Sequence, residues 1–234
     1  MTGLAVELGG LRVEIDECDL DTDADIALEE AYAELDAEER RRAASFVFDR
    51  DRDRYVRAHG RLRRRLGAAL GFAPEAVPIA VSEGGKPFVP DHRTRFNLSH
   101  SGARAVIAIT EGGEIGVDLE LLDRGDGLEG QLDDLARSCL TPTERNALAG
   151  LPTEKRVPRF LSYWTAKEAR MKLTGEGLML EPQDISLELS DGRPVGYRRP
   201  HAPGAELLFV PLSHPDAICC LAVRRDLRTP GGLG

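Results

Sequence analysis

Apolar and polar positions alternate along this chain in two rhythms, one of period 3.6 and one of period 2, and both rhythms occur twice in the same order. LDAEERRRA from Leu35 carries Asp36 with Glu39 three residues on, and LTPTERNAL from Leu140 carries Thr141 with Glu144 three residues on. Each pair fits a capping box, where the first side chain accepts from the backbone N–H of the third helical residue and that residue's carboxylate reaches back. Each therefore predicts a helix start. A phenylalanine follows, Phe46 or Phe160, and then a longer helical stretch, DRYVRAHGRLRRRLGAALG or YWTAKEARMKLTG. Strand-like segments come last: LSHSGARAVIAIT from Leu98 to Thr110 is echoed by LSHPDAICCLAV from Leu212 to Val223, with the same tripeptide, a short turn and an apolar run.

Three matches in one order predict an internal duplication. The expected fold is α+β, two similar α/β lobes related by pseudo-two-fold symmetry and packed face to face as a pseudo-dimer within one monomer. LLDRGDGLEGQ, from Leu121 to Gln131, is polar and glycine-rich and reads as the connection. It divides the chain into an N-terminal lobe, 1–124, and a C-terminal lobe, 125–234. The last residues, Arg228 to Gly234 (RTPGGLG), read as a frayed tail.

A chain of 234 residues with 41% hydrophobic and 30% charged residues can bury such a core. Its formal net charge of -9 argues against nucleic-acid binding, which is driven by neutralising phosphates. The arginines nevertheless cluster between Arg40 and Arg65, where they suit a small polyphosphate or an acidic partner protein, or else form a solvated helix laced with Asp–Arg pairs. The N-terminus has no basic region ahead of an apolar run, and no stretch approaches the roughly 18 uncharged residues of a membrane span. The expectation is a cytoplasmic protein with no membrane partner. Cys18, Cys139, Cys219 and Cys220 form no C-x-x-C pair and read as reduced core thiols.

Four segments carry candidate chemistry. In GGEIGVDLELL, from Gly112 to Leu122, a strand expected to end the first lobe puts Asp118 and Glu120 two apart, hence on one face. Two close carboxylates repel unless a cation offsets them, and magnesium, which takes carboxylates, phosphates and water together, is one solution; a solvent-facing strand end is the other. In FLSYWTAKEARMKLTGEGL, helical spacing puts Tyr163, Ala166 and Arg170 on one face and Glu168, Met171 and Lys172 on another. Glu168 and Lys172 are either an ordinary surface ion pair or a third carboxylate (or base) and a cation for a phosphate. RFNLSHS, from Arg95 to Ser101, reads as a strand giving way to a turn that carries Asn97, Ser99, His100 and Ser101, open to a ligand or merely hydrogen-bonded. In GGKPFV, from Gly84 to Val89, Lys86 can reach a phosphate, although the stretch also suits a plain turn.

Taken in order, GGKP, FNLSHS, IGVDLE and WTAKEARMKLTGEGL resemble the signature motifs of the larger, surfactin-synthetase-activating type of 4'-phosphopantetheinyl transferase, in the W-x-x-KEA variant, over roughly Leu35 to Leu189. The resemblance implies a holo-[acyl-carrier-protein] synthase-type enzyme. It would move the 4'-phosphopantetheine group of coenzyme A to a serine of an apo acyl or peptidyl carrier protein, with Mg2+, releasing 3',5'-ADP. It also implies the site: Asp118, Glu120 and Glu168 as metal ligands, Glu168 as general base and Lys172 on the phosphate. Ser99, His100 and Arg54 would meet the 3'-phosphoadenosine end, with Arg42 a second choice, and Lys86 and Pro87 would lie beside the adenine. Glu39 stands where some members carry a basic residue, so the cradle for the 3'-phosphate is expected to be built differently. The Arg61 to Arg65 cluster is expected to contribute to a groove for the carrier. A magnesium-dependent phosphatase or pyrophosphatase would use similar carboxylates but carry a nucleophilic Asp or a denser acidic cluster. A non-catalytic coenzyme A- or carrier-binding module would not need Asp118, Glu120, Glu168 and Lys172 together.

Overall fold

The computed structural model describes residues 4–22, 25–122, 128–175, 180–198 and 204–226. Strands β1 (Leu4–Leu8) and β2 (Leu11–Asp19) open the chain, followed by helices α1 (Leu28–Glu34), α2 (Ala37–Ala43) and α3 (Asp49–Leu70). Then come β3 (Ala80–Val81), β4 (Pro87–Phe88), β5 (Thr94–Ser101), β6 (Arg104–Glu111) and β7 (Gly113–Leu121). The rest is α4 (Leu128–Cys139), α5 (Pro142–Ala149), α6 (Thr153–Thr174), β8 (Leu187–Ser190), β9 (Arg193–Tyr197), β10 (Ala205–Val210) and β11 (Ala217–Arg225). The order of helix, longer helix and strands thus occurs twice, with both capping boxes formed as the sequence predicts.

Two antiparallel sheets form the centre, β1-β2-β6-β5 and β10-β11-β7. Alternation of side chains decides what each face meets. Val106 and Ala108 of β6 pack with Val13 and Ile15 of β2 against Val117 and Leu119 of β7 and Leu221 of β11, so one core lies between the sheets. Ile107 and Ile109 face the other way, onto Leu62 and Leu66 of α3. On the far side Cys220 and Ala222 meet Phe160, Ala166 and Leu173 of α6. The layers are therefore helix, sheet, sheet, helix, the face-to-face packing expected. Helix α6 presses on β7 so closely that a Cβ on Gly116 would stand 2.1 Å from the carbonyl oxygen of Ala169.

Three expectations change. The strand carrying Asp118 and Glu120 does not finish the first sheet; β7 pairs with β11, from Gly113 opposite Arg225 to Leu121 opposite Ala217. The segment from Leu121 to Gln131 is not all connection, because Leu121 ends β7 and α4 begins at Leu128. The expected boundary at 124/125 and the expected tail from Arg228 lie outside the described residues. Third, the arginines expected to form a docking groove hold the fold together. Arg61 is buried and grips both oxygens of Asp16 at 2.6 and 2.9 Å, while Arg64 and Arg65 pair with Glu34 and Glu14.

Arg63 shows why a cation can be sealed in an interior. It is wholly buried, donates to the carboxylates of Asp36 and Glu39, and gives Nη1 to the carbonyls of Pro74 and Val77, each at 3.2 Å. The second half repeats the arrangement. Lys167, also wholly buried, bonds Glu144 at 2.8 Å and the carbonyls of Pro182 and Ile185 at 2.9 and 2.6 Å. In both halves the glutamate of the capping box reaches across to a cation on the long helix, which also clamps the short 3₁₀ turn, Pro74–Ala76 or Pro182–Asp184. Removing one partner of a buried pair leaves an uncompensated charge. Lys167→Met should therefore cost about 3 kcal/mol or more in urea unfolding, and adding Glu144→Gln should restore part of the loss; a Lys167→Met protein as stable as the parent would contradict this reading of the ion pair.

Candidate active site

Strands β5 and β7 lie side by side at the junction of the two sheets, yet no backbone ladder joins them. Buried N–H groups need acceptors, and side chains supply them. Asn97 Oδ1 accepts from the N–H of Val117 at 2.8 Å, Ser99 Oγ from that of Leu119 at 3.2 Å, and Ser101 Oγ from that of Leu121 at 3.3 Å. The segment expected to turn at these residues is strand throughout, and its period of two aims all three at β7. Both hydroxyls then donate onward: Ser99 to Asp118 Oδ1 at 3.0 Å and Ser101 to Glu120 Oε2 at 3.1 Å.

Helix α6 approaches the same two acids. Trp164 Nε1 donates to Glu120 Oε1 at 3.0 Å, and Lys172 Nζ donates to Asp118 Oδ1 at 2.7 Å and to Ser99 Oγ at 3.0 Å. Lys172 thus pairs with Asp118 across the seam rather than with Glu168 on its own helix. Burial pushes the Asp118 carboxyl above the usual carboxylate range, even against the nearby Lys172. Glu168 is raised by burial first and then by the charges of Asp118 and Glu120. Asp118 Oδ2 is buried with no hydrogen-bond partner.

A bare buried carboxylate oxygen beside two further carboxylates is an arrangement that a hard cation relieves. Among the described residues no three His, Cys, Asp or Glu side chains close into a metal cage. The donors fit magnesium of the open kind, in which carboxylates take some positions and leave the rest to water and phosphate. Beside them is a cavity of about 320 Å³, lined by Gly84, Gly85, Lys86, Pro87, Asn97, Glu168, Met171, Lys172 and Gly175.

The other expected residues separate. Pro87 lines that cavity, but the Lys86 ammonium is already taken, by Glu114 Oε2 at 2.6 Å and the carbonyl of Leu173 at 2.7 Å. Arg54 lies in a second cavity of about 770 Å³, with Nε and Nη2 donating to the two oxygens of Asp21 at 2.5 and 2.6 Å. His100 is exposed, on the face of β5 opposite Ser99 and Ser101. Arg42 is exposed and sits over the ring of Phe46. Glu39, the departure noted in the sequence, is bound to Arg63 and His59, so it serves the fold and leaves no basic group at that place. Sequence reasoning missed the work of Ser101, Trp164 and Glu114. The alternation Asn97, Ser99, Ser101 was a strand signal that pointed to the first of them.

Compared with known proteins, the chain is 35% identical over 200 residues to the 4'-phosphopantetheinyl transferase HetI of Nostoc sp., spanning 84% of this chain and 80% of that one. Residues 114–222 match the 4'-phosphopantetheinyl transferase superfamily model, and residues 23–112 match the 4'-phosphopantetheinyl transferase N-terminal model. The chain belongs to the 4'-phosphopantetheinyl transferase superfamily. Two further relatives come from Bacillus subtilis: a 4'-phosphopantetheinyl transferase 29% identical over 192 residues, covering 82% of each chain, and 4'-phosphopantetheinyl transferase Sfp, 27% identical over 172 residues, covering 72% of this chain and 74% of the relative.

The two phosphopantetheinyl transferase matches meet at the turn between β6 and β7, so the acid pair falls in the second and the serine comb of β5 in the first. A site at that junction needs the halves held in register, and Lys86 is one tie, linking the loop before β4 to β7 and to the C-terminal end of α6. Lys86→Met would leave the carbonyl of Leu173 without its donor. It should lower stability by about 1–3 kcal/mol in urea unfolding; unchanged stability with weakened ligand binding would instead return Lys86 to the role of a phosphate ligand.

Proposed function

We propose that this protein transfers the 4'-phosphopantetheine group of coenzyme A to a serine hydroxyl of an apo acyl or peptidyl carrier protein, at a magnesium site made by Asp118, Glu120 and Glu168. Family membership supports the reaction class. The observation that carries the site is the buried, unpartnered Oδ2 of Asp118, aligned by Ser99 and Lys172 at the junction of the two sheets. The chemistry supplied there by a bound magnesium ion is neutralisation of charge on the two phosphates of coenzyme A.

The chain's own residues do the rest. The cavity beside Gly84–Pro87 and Met171 takes the adenine end, where two glycines let the backbone approach closely. His100 and Arg54 are the proposed contacts for the 3'-phosphate, Arg54 after exchanging Asp21 for it. Glu168, whose carboxyl pKa is raised by burial and by the charge of Asp118, is the proposed proton acceptor. As the serine oxygen bonds to the phosphorus that bears pantetheine, its proton passes to Glu168, directly or through water. The bond from that phosphorus to the bridging oxygen breaks, and 3',5'-ADP leaves with its charge beside Lys172. Neither nucleic acid nor membrane enters this scheme, and no helix among the described residues is long and apolar enough to cross a membrane. The cysteines are free and buried, in keeping with a reducing cytoplasm. We place the division between the halves in the connection around residue 125 and take the working unit to be a monomer.

Incubation with Mg2+, coenzyme A and several apo carrier proteins should add one phosphopantetheine to a carrier, seen by intact mass. Asp118→Ala should reduce the rate at least 100-fold, on the order expected when a group that stabilises transition-state charge is lost, with an unchanged circular dichroism spectrum. No addition to any carrier, or a fully active Asp118→Ala protein, would overturn the assignment.

A further inference from the structure

The two acids of β7 are held differently. Asp118 keeps one oxygen bare, whereas Glu120 has a donor on each: Ser101 Oγ on Oε2 and Trp164 Nε1 on Oε1. These donors come from opposite halves of the molecule, Ser101 from β5 and Trp164 from α6. Each is itself fixed. Ser101 is buried and accepts from the N–H of Leu121, which leaves its proton directed at Glu120; Trp164 is carried on the helix that packs on β7 at Gly116. A carboxylate held by two rigid donors loses its freedom to rotate, while each oxygen keeps a lone pair for another bond.

We propose that Ser101 and Trp164 are positioning residues that set the orientation of Glu120 as a metal ligand, so that the affinity of the site for a divalent cation depends on the two halves being in register. The proposal rests on the reading of Asp118, Glu120 and Glu168 as metal ligands. Groups that hydrogen-bond a ligating carboxylate set its direction, and losing one typically weakens metal binding by about 10- to 100-fold. Ser101 also lines the larger cavity with Arg54, Arg104 and His214.

The test is Mn2+ binding, followed by the electron paramagnetic resonance of free Mn2+ in the presence of coenzyme A, in the parent, Ser101→Ala, Ser101→Thr and Trp164→Phe. Ser101→Ala and Trp164→Phe should each raise the half-saturating Mn2+ concentration about tenfold or more. Ser101→Thr, which keeps the hydroxyl, should stay near the parent. In a Glu120→Gln background, Trp164→Phe should produce no further loss, which a general loosening of the fold would not reproduce. Trp164→Phe removes the N–H while keeping an aromatic ring at that position, so it decides the matter if Ser101→Ala fails to fold. Parent-like Mn2+ binding by Trp164→Phe and by folded Ser101→Ala would overturn this proposal alone, and a parent that binds no Mn2+ would overturn it together with the reading of the site.

Discussion

The constraint on which the rest depends is the unladdered junction between β5 and β7. Two edge strands brought together in an interior must satisfy their inward backbone groups or lose stability for each one left bare. Here every second residue of β5 from Asn97 on sends a side-chain oxygen to an N–H of β7, at Val117, Leu119 and Leu121. Because the acceptors at Ser99 and Ser101 are hydroxyls, each still holds a proton to donate, and the next groups within reach are the carboxylates of Asp118 and Glu120. The solution to a folding problem is therefore also the scaffold of the acid pair. An ordinary ladder would have used the same N–H groups and left the carboxylates without fixed donors.

A junction of this kind is only as exact as the two bodies that form it, which gives the buried cations their significance. Arg63 and Lys167 each tie a capping-box glutamate, the long helix and a 3₁₀ turn into one unit. Buried ion pairs are a poor source of net stability, but losing one partner leaves an uncompensated charge, so an arrangement that breaks the pair is penalised. Lys86 does similar service between the halves, at the end of α6. Rigid halves joined through directional hydrogen bonds can hold side chains from β5, β7 and α6 to one geometry.

Much of this was legible in the sequence because it is periodic. The capping boxes, the two long helices and the face of α6 bearing Glu168, Met171 and Lys172 follow from local spacing and are present, whereas the repeated tripeptide is strand at Leu98–His100 and loop at Leu212–His214. Partner choice was not legible, since it is decided over long separations. Nothing near Lys86 in the chain announces Leu173, and nothing near Arg61 announces Asp16. The arginine run looked like a surface because its composition is charged; the apolar residues Leu62 and Leu66, one turn apart, bury that face of the helix, and Arg61 and Arg63 are buried with them. The serines of β5 looked like a turn because short polar residues favour turns, although their period of two already matched a strand.

The likeness between β2 and β7 bears on why the acid site lies where it does. Asp16 stands in β2 as Asp118 stands in β7: each is the buried aspartate of a nine-residue strand, opposite Ile107 of β6 or Cys220 of β11. Their electrostatic fates differ. Arg61 of α3 covers both oxygens of Asp16 and Arg65 stands 3.7 Å from one of them, so the first half holds its aspartate against guanidinium groups. In the second half the cation comes from Lys172, one turn beyond Glu168, and reaches only one oxygen of Asp118. A guanidinium spans a carboxylate with two bonds where an ammonium makes a point contact. The difference between a sealed aspartate and one with an oxygen to spare thus follows from which basic side chain the long helix supplies, and from where along it that side chain sits.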